Sequence, residues 1–367
     1  MKMENTNLNI PDVTVDSVIE MLSLIYSNAI KSKTELKKIP TPFLWGPAGI
    51  GKSEGVYELS KKLRDLCKKE VYVTDIRLLL FSPVDLRGVP IADSQRQFSK
   101  WLMPEIFNMK KGEDIINLLF LDELSAAPQS VQAAAYQICL DRKIGEHRLP
   151  ENCIVIAAGN RTTDQSVSFK MPKALCNRLM HFNVTTNFKS WKKWAKQNEI
   201  DERIIGYLSF DNSKLCVTPE SSDMAYPTPR SWSFVSSIIK NIGDIEKAHQ
   251  LISACVGTDT AIEFATWIET HTLLPKVDDV LKGTCNEYPK SYDALLAFNE
   301  SLISAVVGRC PFLTVVELEN VCRYVKRFPT DFAMTFYTEL NKTEEIRLKL
   351  MKCPSCLAWF EKNKKYV

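Results

Sequence analysis

The sequence predicts an α/β core carrying a buried parallel sheet, followed by a helical second half. Residues 42–53, PFLWGPAGIGKS, pass from a short apolar run into a glycine-rich turn that ends in Lys52 and Ser53. Residues 115–124, IINLLFLDEL, and 153–160, CIVIAAGN, are continuous apolar runs that end in polar residues. Strands buried on both faces read as unbroken aliphatic runs, and ligands of parallel sheets collect at the strand C-termini.

Residues 14–30 place Val15, Val18, Leu22, Ile25 and Ala29 at three- and four-residue spacing, the stripe of a leading helix that packs on the core. The polar link KSKTELKK follows, and Phe43, Leu44 and Trp45 supply a strand. Gly46, Pro47, Ala48, Gly49, Ile50 and Gly51 then form a tight turn whose backbone N–H groups face inward. Such a loop holds the β- and γ-phosphates of a nucleotide at the N-terminus of the next helix. Lys52 is placed to neutralise phosphate charge, and Ser53 to put a hydroxyl on Mg²⁺. Val56, Leu59, Leu63 and Leu66 recur as the buried face of that helix.

VYVTDIRLLL at 71–80 is the expected second strand. Residues 85–104, with Gly88, Pro90 and Pro104, read as a hairpin or loop insertion; Phe98, Trp101 and Leu102 in it either face a partner or close over their own core. At the end of the 115–124 strand, Asp122 is placed to hold the Mg²⁺ shell through water, and Glu123 to polarise the attacking water. A helix N-cap is the rival reading of this acidic pair, since SAAPQSVQAAAYQICL begins a helix; the phosphate loop upstream favours the catalytic one. Asn160 ends the next strand, where an amide holds the lytic water or the γ-phosphate; alone it would be a turn residue.

Residues 170–184 give a helix ending in Arg178 and Leu179, then a short edge strand from Met180 to Val184. An arginine there is either a surface ion-pair partner or one that reaches a neighbour's nucleotide site. From 187 to 240 the chain reads as a small helical lid, with Arg230 in the first turn of a helix that opens after two prolines. Residues 244–367 are helical by pattern, end in the solvated tail EKNKKYV, and carry no chemical motif. The four histidines, His147, His181, His249 and His271, are too far apart in sequence to suggest a ligand cluster.

The 367 residues are 45% hydrophobic and 25% charged, an ordinary globular balance sufficient for about two or three domains. No run of about eighteen apolar residues appears and residues 1–12 lack the apolar core of a secretory leader, so a cytoplasmic protein without a membrane span is expected. Eleven cysteines without a repeating interval point to reduced, buried thiols. Cys353 and Cys356 form the only CxxC, and one such pair falls short of the four ligands zinc needs. A net charge of +3 gives no field that argues for nucleic acid.

The ordered set GPAGIGKS (46–53), LLFLDE (118–123), AAGN (157–160), NR (177–178) and TPR (228–230) resembles an AAA+ ATPase, and more narrowly the MoxR-type (dynein-related, AAA_5-like) branch. The resemblance spans roughly residues 40–245. It implies a three-layer α/β core with strand order 5-1-4-3-2, a helical lid, and assembly into a homo-oligomer, a hexameric ring. It divides the chain into a helix and linker at 1–40, a nucleotide-binding core at 41–186 with an insertion near 85–104, a lid at 187–245 and a further helical region at 246–367. Carried over residue by residue, it makes Lys52 and Ser53 the phosphate and Mg²⁺ ligands, Asp122 the second Mg²⁺ ligand and Glu123 the catalytic glutamate. Asn160 matches sensor 1, Arg178 the arginine finger acting on the adjacent subunit, and Arg230 sensor 2. Arg161, directly after Asn160, competes with Arg178, because ALCNRL lacks the Phe that follows the finger in many relatives. The implied activity is ATP hydrolysis with Mg²⁺, driving the remodelling or maturation of a protein client such as a von Willebrand factor A domain protein. A nucleic-acid motor or loader, and a nucleotide-gated scaffold with little turnover, are the alternatives.

Overall fold

The computed structural model describes residues 10–363 except 162–163, 165–168, 170, 221–222, 273–274 and 290–291. The leader reading of residues 1–12, the start of the 170–184 segment and the tail at 361–367 thus fall partly outside the described residues. The chain divides into two compact units, Met1–Ala261 and Ile262–Val367.

The first unit opens with β1 (Asp12–Thr14), α1 (Val15–Lys31), β2 (Pro42–Trp45), α2 (Lys52–Cys67) and β3 (Glu70–Arg77). The strand expected over 71–80 stops at Arg77, and Leu79 and Leu80 lie exposed in a following 3-10 turn. Next come α3 (Pro83–Arg87) and the antiparallel hairpin of β4 (Val89–Ala92) and β5 (Ser99–Leu102). Phe98 at the hairpin tip is 73% exposed, so it does not close over a core of its own. After β6 (Ile115–Asp122) and α4 (Gln129–Asp141), the short pair β7 (Lys143–Ile144) and β8 (His147–Arg148) leads to β9 (Cys153–Gly159). Pro128, not Asp122 or Glu123, is the N-cap residue of α4. Then come α5 (Lys173–Cys176), β10 (Met180–Thr185), α6 (Phe188–Gln197), α7 (Glu202–Phe210), α8 (Pro229–Ile242) and α9 (Ile245–Val256).

Six strands pair in parallel in the order β1-β10-β2-β9-β6-β3. Without β1, and numbered along the chain, the other five run 5-1-4-3-2. The strand expected at the edge, β10, lies inside the sheet because Asp12–Thr14 pairs along its outer side. Three residues are too few to show alternation in sequence, which is why β1 is not legible there.

Side-chain alternation along β6 and β9 builds two cores. Ile116, Leu118, Phe120, Ile154 and Ile156 meet Val18, Leu22 and Tyr26 of α1 and Val56, Leu59 and Leu63 of α2. On the other face Leu119, Leu121 and Val155 meet Val131, Ala134 and Ile138 of α4. The result is three layers, helix on sheet on helix. Leu66, expected on the buried face of α2, is 46% exposed: the stripe ends a turn before the helix does.

The division between the units falls within α10 (Thr258–Thr272). The second unit, over its described residues, is helical: α11 (Val277–Leu281), α12 (Tyr292–Gly308), α13 (Val315–Val325), α14 (Thr330–Asn341), α15 (Glu344–Leu350) and α16 (Pro354–Lys362). Thr314 and Glu317 cap α13 reciprocally: the Thr314 hydroxyl accepts from Glu317 N, and the Glu317 carboxylate accepts from Thr314 N. Phe298, Leu302, Val321, Phe336 and Leu340 form the centre of its own core. Among the described residues no helix is long and apolar enough to cross a membrane.

Candidate active site

The C-terminal ends of β2, β9 and β6 are neighbours in the sheet, and they bring the expected phosphate loop, Asn160 and Asp122 together. Gly46 leaves β2 with φ +156°, and a Cβ there would lie 2.7 Å from the Val184 carbonyl. Gly49, at φ +80°, lies so close to α8 that a Cβ would meet the Thr228 hydroxyl at 2.9 Å. Both positions therefore exclude other side chains. Gly51 is the N-cap residue of α2 and supplies no side-chain cap, which leaves the N–H groups of the first turn to a ligand.

Lys52 is buried, and its ammonium donates to the carbonyls of Gly46 and of Pro47 (2.8 Å) and to Asn160 Oδ1 (3.1 Å). Burial pushes the Lys52 ammonium down to about 8, against the opposing pull of Asp122 and Asp164. Ser53 Oγ donates to Asp122 Oδ2 at 2.8 Å, while Asp122 Oδ1 accepts from Glu123 N at 2.8 Å. Glu123 itself has φ +59°, a left-handed conformation uncommon for a residue with a Cβ. No described residue hydrogen-bonds its carboxylate.

Three features were not legible in the sequence. Ser125 Oγ accepts from Asn160 N and donates to Asn160 O, both at 2.9 Å, and so ties the loop after β6 to the end of β9. In DELSAAP a serine two residues past the acids reads as the start of a helix, which is why its role is hidden. Asp75 on β3 accepts from the Tyr57 hydroxyl at 3.1 Å; burial, aided by the charge of Asp122, pushes its carboxyl up. Beside the loop is a cavity of about 260 Å³ lined by Val15, Gly49, Thr185, Trp191, Trp194 and Pro229 among others. Trp191 Nε1 is buried there without a hydrogen-bond partner among the described residues.

The arginines divide sharply. Arg230 N donates to Gly49 O at 3.1 Å, which joins the start of α8 to the phosphate loop, and the Arg230 side chain is exposed. Arg161 is turned inward: its Nη2 donates to Val184 O at 2.9 Å and its Nη1 lies 3.8 Å from Asp164 Oδ1. Arg178 is exposed beyond α5 and has no side-chain partner among the described residues. The structure thus brings Lys52, Ser53, Asp122, Glu123, Asn160 and Arg230 to one end of the sheet, and leaves Arg178 out of the hydrogen-bonded cluster.

No family model and no curated protein matches the chain. Among solved structures, a RuvB variant from Thermotoga maritima aligns with 80% of this chain and 84% of its own at 16% identity and a TM-score of 0.38. The ORC2 protein from Aeropyrum pernix aligns with 82% and 88% at 12% identity and a TM-score of 0.41. PCH-2 from C. elegans aligns with 70% and 67% at 15% identity and a TM-score of 0.36. Scores this low bear on neither fold nor function, so both rest on the geometry of the chain itself.

Proposed function

We propose that the chain is an ATP-hydrolysing AAA+ ATPase of the MoxR type that works as a ring on a protein partner. One observation carries the reading: a glycine loop, a buried lysine, a serine–aspartate pair and an amide converge at the C-terminal ends of three adjacent parallel strands. In this reading Lys52 and the N–H groups of the first turn of α2 hold the phosphates, with the cavity by Trp191 and Trp194 taking the nucleoside.

The donor set fits Mg²⁺. Ser53 and Asp122 offer hard oxygens, and this ion is usually held by one or two carboxylates together with substrate phosphates and water. When bound, it neutralises charge on the phosphate oxygens. Glu123, whose carboxylate is not engaged by a described residue, orients water and takes its proton. Asn160, held by Ser125 and within reach of Lys52, fixes the water or the terminal phosphate. Lys52 and Arg230 meet the charge that develops on the phosphoryl oxygens. Arg178, exposed and unengaged, is offered to the nucleotide of a neighbouring copy, whereas Arg161 is committed within its own chain. The protein client, including one with a von Willebrand factor A domain, and the sixfold ring extend this proposal by resemblance.

Glu123→Gln tests the reading. The variant should bind ATP as the parent does and release phosphate at least about a hundredfold more slowly, since general-base catalysis contributes roughly 10²–10⁴. Phosphate release at the parent rate would refute the assignment of Glu123.

A further inference from the structure

His181, on β10, is hydrogen-bonded through both ring nitrogens, and the proposed ATPase chemistry uses neither bond. Trp45 Nε1, at the end of β2, donates to His181 Nδ1 at 2.9 Å, and His181 Nε2 lies 2.8 Å from the Cys176 carbonyl oxygen. An indole N–H only donates, so Nδ1 is the acceptor and carries no proton. The proton of the neutral ring therefore sits on Nε2 and is donated to Cys176 O. The Trp45 and His181 rings stack with centroids 6.1 Å apart at 26°, and Phe43 lies beside both. Tautomer and ring orientation are thus fixed from the β2 side.

The two bonds join segments with different tasks. Trp45 immediately precedes Gly46, the first residue of the phosphate loop. Cys176 is the last residue of α5 and opens the turn that carries Arg178: Arg178 N donates to Leu175 O, and Leu179 N to Cys176 O. Leu175, Cys176 and Leu179 pack in the same core as Phe43 and Trp45. Apolar contact is non-directional, so it holds the turn on the sheet without setting its orientation. No other described side chain hydrogen-bonds the main chain of residues 173–179, which leaves the bond from His181 as the directional one.

We propose that His181 is the positioning residue of the arginine finger: it pins the turn that presents Arg178 to the strand that launches the phosphate loop. The inference rests on the proposed role of Arg178 at the nucleotide of a neighbouring copy. His181 acts through Cys176 O, so the site it serves is the neighbour's and not its own. Each subunit's β2 becomes the reference against which the arginine that it offers is set. A misplacement of about 1 Å in a group that meets the transition state costs on the order of a hundredfold in rate. Loss of the pin therefore falls on kcat, while ATP binding within the same subunit is spared.

The test uses two substitutions in the full chain. His181→Asn keeps an acceptor at the level of Nδ1 for Trp45 and loses the donor to Cys176 O; His181→Gln carries an amide N–H at the level of Nε2 and keeps that donor. His181→Asn should lower kcat for ATP hydrolysis by about tenfold to a hundredfold with KM for ATP unchanged. His181→Gln should retain most of the parent kcat. Mixing then locates the defect. In an equal mixture of His181→Asn with Glu123→Gln, under subunit exchange, an intact Glu123 meets a pinned arginine at about a quarter of the interfaces, and the rate per site should rise to that fraction of the parent's. A residue acting on its own chain's loop would give only about half the rate of His181→Asn alone, because Glu123→Gln would merely dilute it. That result would overturn the proposal, as would a parent-like kcat in His181→Asn or equal losses in the two variants. Arg178→Ala mixed with Glu123→Gln is run in parallel. No recovery there, with subunits exchanging, removes the finger and this proposal with it; recovery there without recovery of His181→Asn removes the pin alone. If circular dichroism shows His181→Asn unfolded, Trp45→Phe carries the same test from the other side: it removes the anchoring donor and should show the same loss of kcat and the same recovery on mixing, and a parent-like kcat in it would overturn the proposal.

Discussion

Ser53 Oγ donates a 2.8 Å hydrogen bond to Asp122 Oδ2, which joins the first turn of α2 to the last residue of β6. In the proposed function this hydroxyl and carboxylate share the ligand sphere of one Mg²⁺. Asp122→Asn keeps the shape and an acceptor oxygen but removes the charge. The Mg²⁺ concentration for half-maximal ATP hydrolysis should rise at least about tenfold, within the 10- to 100-fold span typical of changes to metal-site residues. A magnesium titration of phosphate release measures it, and an unchanged midpoint would separate Asp122 from the metal.

Lys52 predicts opposite pH trends in binding and in stability. Burial sets its ammonium at about 8, against 10.5 for an ordinary lysine. Below pH 8 the group is charged in both the folded and the unfolded chain, so the burial cost is fully felt. Between 8 and 10.5 the folded chain gives up the proton while the unfolded chain holds it, so this group's contribution to stability rises with pH. Phosphate binding needs the cation, so ATP affinity should fall across the same window, by at most about tenfold per pH unit. Nucleotide titrations at pH 7.5 and 9.5 check this; Lys52→Ala, which lacks the group, should bind weakly at both and show no such slope.

Ser125 makes two hydrogen bonds to the backbone of Asn160, and no other described side chain clamps that residue's main chain. Ser125→Ala removes both and leaves the Asn160 N–H and carbonyl to find new partners, at a cost of about 1–3 kcal/mol. Thermal unfolding should shift down accordingly. Because the clamp orients the Asn160 amide, kcat should fall while KM for ATP holds; a loss of stability with unchanged kcat would make Ser125 structural only.

The residues that meet at the candidate site were legible because they reside in contiguous motifs. Gly46 to Ser53, Asp122 with Glu123, and Asn160 each follow an apolar run, and burial on both faces makes those runs unmistakable. The supporting residues were not legible, since nothing local marks them. Ser125 acts on a backbone 35 residues away, and Thr185, Trp191 and Pro229 meet at the cavity only once β10, α6 and α8 have packed. Asp12–Thr14 pairs as a strand along the outer edge of β10, and three residues, even with two β-branched ones among them, are too few to announce it. Leu66 misled because helical spacing continues past the point where α2 leaves the sheet. In the second unit the helices follow from periodicity.

Arg178 provides the sharpest test of assembly. Exposed and without a side-chain partner among the described residues, it lies outside the hydrogen-bonded cluster of its own chain, and the proposed finger role puts it at the nucleotide of a second copy. Arg178→Ala should therefore leave ATP binding intact and lower hydrolysis by roughly 10³-fold or more, the scale of an arginine finger. Glu123→Gln should be inactive for a different reason, since in the proposed mechanism it lacks the base but still carries the arginine. Mixing the two inactive proteins, under conditions where subunits exchange, creates interfaces in which an intact Glu123 faces an intact Arg178 from its neighbour. Random mixing should restore about a quarter of the parent rate per site, because each half of a head-to-tail interface is drawn independently. Arg161→Ala, by contrast, should lower thermal stability by breaking the contact to Val184 O, and its mixture with Glu123→Gln should restore nothing beyond the activity of Arg161→Ala alone. If the Arg178→Ala mixture stays inactive while subunits demonstrably exchange, the arginine does not act across the interface.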